Sequence, residues 1–222
     1  MITEPPYMLD LEFDAPTHVY RYRKRVVPHI TEVVPDDYDN VPPHVLEKAR
    51  QRGHEAHKAT ELYDLRNLNW QTVNPTIEPY LDAWIKFRRE YEMQVEPQDV
   101  ERRLYHPVYN YAGTGDRPRC LVRGKITCEE TKTIALMTDE VGLQVAAQVW
   151  AENHRARVLG LPEIEQGLAV QLRKDGTFRP TFYTMAQLKQ YFQEFWAYLI
   201  ILNREVRYGK KQYAVSNNSI AT

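Results

Sequence analysis

ITCEETKT, residues 126–133, is the stretch on which the fold turns. It is rich in β-formers and predicts a strand. Side chains two apart in a strand share one face. Glu130 and Lys132 therefore project together, a carboxylate beside an ammonium. Such a pair is either a solvated ion pair on an exposed strand or part of a site that binds a divalent cation and stabilises charge at a phosphorus centre. Acidic-x-Lys triplets are frequent, and the triplet alone does not choose.

Working upstream, VERRLYHP (100–107) and YNYAGTGDRPRCLVR (109–123) also read as strands, with turn signals at Pro107 and Gly124. Pairing of 109–123 with 125–133 would bring Asp116 near the 130–132 end. Two carboxylates and a lysine converging there offer hard oxygen ligands of the kind that suit Mg2+ or Mn2+. Further upstream, RGHEAHKATELYDL (52–65) places His54, His57 and Glu61 on one helical stripe. That stripe is either a polar helix face with locally bonded histidines or the source of an imidazole ligand from His57. Downstream, LQVAAQVW (143–150) sets Gln144 and Gln148 one turn apart on a predicted helix. They either orient water or phosphate at a helix start or lie exposed.

HVYRYRKRVVPHI (18–30) predicts a hairpin, and Thr31 is expected to cap a helical turn through Val34. A polar connection follows from Pro35 to Pro43. A helix starts at Pro43, is interrupted at Gly53 and resumes through Leu65. Residues 76–93 form a second helix with Ile77, Tyr80, Leu81, Trp84, Phe87 and Tyr91 on its apolar face. A third covers 141–158, strands follow at 166–173 and 177–183 about an Asp175-Gly176 turn, and Thr184 caps a helix over 185–207. That last helix carries Leu188, Tyr191, Phe192, Phe195, Trp196, Leu199 and Leu202, and GKKQYAVSNNSIAT reads as a frayed tail. This order predicts an α+β fold: a central mixed sheet flanked by helices, with an N-terminal hairpin.

At 222 residues, 43% apolar and 27% charged, the chain suits one soluble domain with a real core. The expected division is one domain over 1–208, with the hairpin and turn at 18–34 and the core motifs at 43–158, followed by a tail at 209–222. A net charge of −1 excludes little, because a metal-dependent enzyme acting on nucleic acid needs both carboxylates and cations. Cys120 and Cys128 cannot build a four-thiolate site alone; a hairpin turning at Gly124 would set them opposite each other, and two core thiols are expected rather than a disulfide. MITEPPYMLDLEFD carries acidic residues where a signal peptide needs positive charge, and no stretch reaches the ~18 apolar residues of a membrane span, so a cytoplasmic protein with no membrane partner is expected. GxxxxGK, GxGxxG, GxSxG, CxxC and HExxH are all absent.

Taken in order from about His18 to about Trp150, these segments resemble the RecB-like branch of the PD-(D/E)xK nucleases, particularly its phage and prophage members. HVYRYRKRVVPHIT is similar to the family's hairpin and P-S-V-T segment. ARQRGHEAHKATELYD (49–64) is similar to its histidine helix, and ERRLYHPVYNYAGTGDR (101–117) to its aspartate strand. ITCEETKT is similar to its D/E-x-K strand and LQVAAQ to its Q-x-x-x-Y helix. The resemblance implies a restriction-endonuclease-like fold and one or two Mg2+ or Mn2+ ions. His57, Asp116, Glu130 and the Thr131 carbonyl would be ligands. Lys132 would orient the attacking water, and Gln144 would stand in the helix motif. Glu61 and Glu101 are second-tier ligands or their supports. The cluster-binding cysteines of the iron–sulfur members are missing, so no such cluster is implied. The motif tyrosine is Gln148 here, which bears on DNA contact by that helix.

The implied activity is hydrolysis of DNA phosphodiesters, as an exonuclease working from ends in phage recombination, replication or repair. A recombination or single-strand-annealing protein is the implied partner. Arg21, Arg23, Lys24 and Arg25 on the hairpin, and Arg50 and Arg52 beside the histidine helix, would track the DNA backbone without reading bases. The alternatives are a non-catalytic DNA-binding or recombination-accessory protein on the same fold, and a metal-dependent hydrolase of another substrate.

Overall fold

A computed structural model describes residues 4–35 and 41–213. Three short strands, β1 (Leu11–Asp14), β2 (Val19–Tyr22) and β3 (Arg25–Val27), form an antiparallel sheet at the N-terminal end. The expected hairpin is present, with β1 as an added strand. Its tight turn falls at Arg23 and Lys24, which both have positive φ, 49° and 65°, as a two-residue primed turn demands. The turn of helix that follows, α1 (Ile30–Val33), starts two residues earlier than a Thr31 cap would place it. His29 holds the capping position, its N–H donating to Glu32 Oε2 at 3.4 Å, while Thr31 Oγ1 pairs with His29 Nδ1. The Pro35–Pro43 connection and the 209–222 tail lie largely outside the described residues.

α2 (Pro43–Asp64) runs unbroken through Gly53. A glycine costs a helix about 1 kcal/mol relative to alanine and does not by itself end it. α3 (Glu78–Glu90) is shorter than the 76–93 pattern because Ile77 forms its N-cap and Tyr91 its C-cap. The 109–123 segment is not one strand. It breaks at Asp116 into β5 (Tyr111–Gly115), which pairs with β4 (Arg102–His106), and β6 (Arg117–Val122), which pairs with β7 (Lys125–Lys132). Pro118 removes a ladder donor just past the break, and the β6–β7 register shifts between Arg117 and Cys120. Asp116 is therefore set at a corner between two sheets.

α4 (Asp139–Leu159) crosses from β7 to β8 (Gln166–Leu172), which lies parallel to β7, and β9 (Phe178–Thr184) returns antiparallel into α5 (Met185–Arg207). The four-stranded sheet has the order β6-β7-β8-β9 and is mixed. α4 and α5 cover one face through Val145, Val149, Leu188, Phe192, Phe195 and Leu199, packed on Cys128 and Ala169. α2 and α3 cover the other, where Trp84, Phe87 and Leu81 pack on Cys120, Leu168 and Val170. The architecture is α+β with helices on both sheet faces. Gly167 admits α4 closely, since a Cβ there would stand 2.7 Å from Val145 Cγ1.

One local expectation needs correction. Cys120 pairs with Thr127, not Cys128, and the two thiols lie free on opposite faces of the sheet. Trp196 is 45% exposed, although Leu188, Phe192, Phe195, Leu199 and Leu202 of the same helix are buried.

Candidate metal centre

β7 sorts its side chains by parity, as a strand must. Glu130 and Lys132 face α4. Lys132 Nζ donates to Glu130 Oε1 at 2.7 Å and to Gln144 Oε1 at 2.8 Å, and Gln148 Nε2 donates to Glu130 Oε2 at 2.7 Å. Glu129 and Thr131 face the other way, toward Arg117. Gln148 is completely buried, so the side chain at the resemblance's tyrosine position lies beneath Glu130 and out of reach of a ligand in solvent.

Asp116, at the corner, is held from two sides. Its Oδ2 accepts from the Thr131 backbone N–H at 2.7 Å, and its Oδ1 lies 3.2 Å from His57 Nδ1 of α2. The N–H and C=O of one strand residue point the same way, so the Thr131 carbonyl also looks toward Asp116. The Asp116 carbonyl accepts from the Glu101 N–H at 2.9 Å. Glu101 has φ 50°, a left-handed conformation unusual for a non-glycine residue. The next residue, Arg102, is pinned to Glu152 of α4.

Ligand atoms of His57, Glu101 and Asp116 consequently lie within 4.8 Å of one another. The structure thus brings Glu101 into the group and leaves Glu130 beside it, occupied by Lys132 and Gln148. Burial alone would lower the His57 pKa, but the charge and hydrogen bond of Asp116 overcome it and lift it to about 9. Burial would raise Asp116, and His57 instead holds it well below the usual carboxylate range. Burial, then repulsion from Asp116, pushes both Glu101 and Glu130 upward. The donor set, carboxylates with one imidazole, is chemically fit to hold a divalent cation.

The remaining expected residues lie further out. Glu61, one turn along α2 from His57, accepts from Lys58 Nζ at 2.8 Å through both oxygens, and its charge is felt by Glu101. Arg52 Nη2 reaches the Thr133 carbonyl at 3.5 Å, and Arg50 is exposed. Lys24 and Arg25 are exposed on the hairpin and Arg21 is half-buried, while Arg23 is bonded to Asp10 at 2.9 Å. The hairpin approaches the centre through Tyr20, whose hydroxyl pairs with Thr114 Oγ1 at 2.7 Å.

Sequence reasoning missed the support behind the centre. Arg117, 1% exposed, donates to Asp64 Oδ2 through Nε at 2.8 Å and to Thr131 Oγ1 through Nη1 at 2.9 Å. Its guanidinium lies over the Trp84 ring, 4.2 Å from the centroid. Asp64 continues the stripe of His57 and Glu61 at helical spacing, and that signal could have found it. Nothing local marks Glu129 as buried.

No family model matches the chain, and no curated protein matches it in sequence. Among solved structures, LHK-Exo in complex with dAMP is 16% identical, with 71% of this chain and 83% of that one aligned and a TM-score of 0.40. An alkaline exonuclease (LHK-Exo) from Laribacter hongkongensis is 12% identical over 81% and 91% of the two chains, at a TM-score of 0.36. SSO0001 is 14% identical over 78% and 75%, at 0.34.

Proposed function

We propose that this chain is a metal-dependent DNA nuclease of the PD-(D/E)xK kind. The observation that carries it is the meeting of His57, Glu101 and Asp116 within 4.8 Å, from a helix, a strained connection and a corner between two sheets. The Glu130–Lys132 pair stands alongside. His57, Glu101 and Asp116 would hold the ion, with Glu130 and the Thr131 carbonyl bordering it. A bound Mg2+ or Mn2+ would neutralise phosphate charge and acidify a water. Lys132, oriented by Glu130 Oε1 and Gln144 Oε1, presents an ammonium to the attacking water and to the charge that builds on the phosphate. Gln148 fixes the second oxygen of Glu130, so that carboxylate keeps its orientation.

DNA as the substrate is supported by Arg52 of α2, which reaches the Thr133 carbonyl just past Lys132, by the exposed Arg50 on the same helix and the cations Arg21, Lys24 and Arg25 on the hairpin, and by the resemblance of five motifs in one order. The same resemblance extends the proposal to cleavage from DNA ends, in recombination, replication or repair in a phage-infected or bacterial cytoplasm, beside a recombination or annealing protein.

The test is incubation of the full chain with end-labelled linear DNA and with covalently closed circular DNA, in Mn2+, in Mg2+ and in EDTA. Metal-dependent loss of the linear substrate alone, abolished by Lys132→Ala and by Asp116→Ala, is expected. Cleavage indifferent to Lys132→Ala, or DNA binding with no cleavage in either metal, would overturn it; the latter outcome is that of a non-catalytic DNA-binding protein.

A further inference from the structure

α2 carries the imidazole of the centre but has little apolar grip on the sheet. Its buried residues are Ala56, Ala59, Thr60 and Asp64. Ala56 and Ala59 bury little apolar area and Tyr63 is only half-buried against the core, so its seat depends also on directional polar contacts. Two of these reach neighbouring residues of the same corner. His57 reaches Asp116, and Asp64 reaches Arg117 through Oδ2 at 2.8 Å from Nε and 2.7 Å from Nη2. His57 and Asp64 are separated by about two turns, roughly 10 Å along one helix face.

The second contact is the stiffer one. Asp64 Oδ1 also accepts from Trp84 Nε1 at 3.1 Å and Arg88 Nη1 at 2.5 Å, which lie one turn apart on α3. Arg117 in turn grips β7 through Thr131 Oγ1, with Glu129 Oε2 at 3.5 Å. One buried pair thereby ties α2, α3, the start of β6 and β7 together. The Asp64 side chain is fully excluded from solvent and that of Arg117 is 1% exposed, so neither can relax into water.

On the proposal that the cluster holds a cation, we infer that the Asp64–Arg117 pair is the spacer that seats His57 against Asp116, and that it thereby sets the affinity of the centre for its ion. Neither residue touches the ion or the substrate; both are positioning residues. The obvious rival is a pair that serves stability alone, and metal affinity separates the two.

Mn2+ binding to the full chain is measured by the electron paramagnetic resonance of free Mn2+, for wild type, Asp64→Asn, Arg117→Lys and Trp84→Phe. Trp84→Phe keeps an aromatic ring beneath Arg117 and both charges of the pair, and removes the indole donor to Asp64 with some buried volume, so it perturbs the fold less than the charge variants do. Leu199→Ala, in the core on the far face of the sheet, controls for lost stability. Each spacer variant that folds is expected to weaken Mn2+ binding, by about 10- to 100-fold for the charge variants. Leu199→Ala is expected to leave it within about twofold at comparable thermal stability. In the metal-free protein, the His57 ring resonances should also shift toward those of an unbonded imidazole in the spacer variants. Folded spacer variants that bind Mn2+ as wild type does, with His57 resonances unmoved, overturn the inference while leaving the metal centre intact. Wild-type protein that binds no Mn2+, or binding indifferent to His57→Ala, overturns the metal centre itself and the inference with it.

Discussion

His57 Nδ1 lies 3.2 Å from Asp116 Oδ1, which bonds a long helix to the corner between the two sheets it overlooks. The pair shares one proton-dependent interaction, in which each partner opposes the effect of burial on the other.

That coupling gives the first prediction. With burial opposing it, Asp116 lifts the His57 pKa to about 9. Asp116→Asn retains the shape and removes the charge, leaving burial and the nearby Lys132 to outweigh the smaller upward pull of Glu130. The His57 pKa is then expected below its ordinary 6.5. Imidazole resonances followed against pH check this, and a pKa that stays near 9 in the variant removes Asp116 as the cause.

A metal ligand must be deprotonated, so Mn2+ has to displace the His57 proton at neutral pH. Apparent Mn2+ affinity is expected to rise from pH 7 toward about 9, where His57 titrates. Calorimetry in buffers of different ionisation enthalpy should show net proton release at pH 7. The metal-free protein should behave in the opposite sense. A histidine raised from 6.5 to about 9 by folding contributes stability that is full below pH 6.5 and lost as pH rises through 9. The loss is roughly 3 kcal/mol. Thermal unfolding in EDTA at pH 6.5 and 9.5 measures it.

Gln148 is wholly buried and donates to Glu130 Oε2 at 2.7 Å. Gln148→Leu leaves that carboxylate oxygen without its donor, at a cost of about 1–3 kcal/mol. It should also lower nuclease activity by releasing Glu130. Gln148→Tyr, which restores the residue of the resembling motif, is expected to destabilise as well. Gly115 is already close, since a Cβ built there would stand 3.2 Å from Gln148 Oε1, and overpacking costs about 1–3 kcal/mol. Chemical denaturation of the variants tests both.

His106 is 4% exposed, and its Nδ1 accepts from the Tyr109 N–H at 3.4 Å. Burial, reinforced by the neighbouring His154, lowers its pKa from 6.5 to about 3. The unfolded chain takes up a proton below pH 6.5 and the native one does not, so stability falls from pH 6.5 down to about 3. The total is on the order of 5 kcal/mol. His106→Asn keeps an acceptor and does not titrate, so its unfolding free energy should fall less steeply across that window. An unchanged slope would rule out His106 as the source of acid sensitivity.

Gly167 of β8 faces α4, and a Cβ would stand 2.7 Å from Val145 Cγ1 and 3.1 Å from both Leu188 methyls. Gly167→Ala is expected to cost about 1–3 kcal/mol by displacing α4. Because α4 carries Gln144 and Gln148, the variant should lose activity beyond its loss of stability, as read from initial rates at a temperature where it remains folded.

The features the sequence determined by itself are those written in local periodicity and turn chemistry. The two-residue repeat of Glu130 and Lys132 placed them on one face, the apolar spacing of 185–207 made α5, and Gly124 with φ 78° and the Asp175-Gly176 turn closed the hairpins. Tertiary structure decided what depends on where a strand breaks and which element crosses it. Breaking 109–123 at Asp116 put that carboxylate at a corner, and the strained Glu101 followed it into the cluster. The crossing of α2 then chose His57 over His54, and the packing of α4 buried Gln148 rather than exposing it. Adjacent residues of one strand, Glu129 and Glu130, read alike locally yet serve opposite faces. Their difference arises only when helices cover both sides of the sheet, because burial and charge pairing belong to the assembled layers and not to any window of sequence.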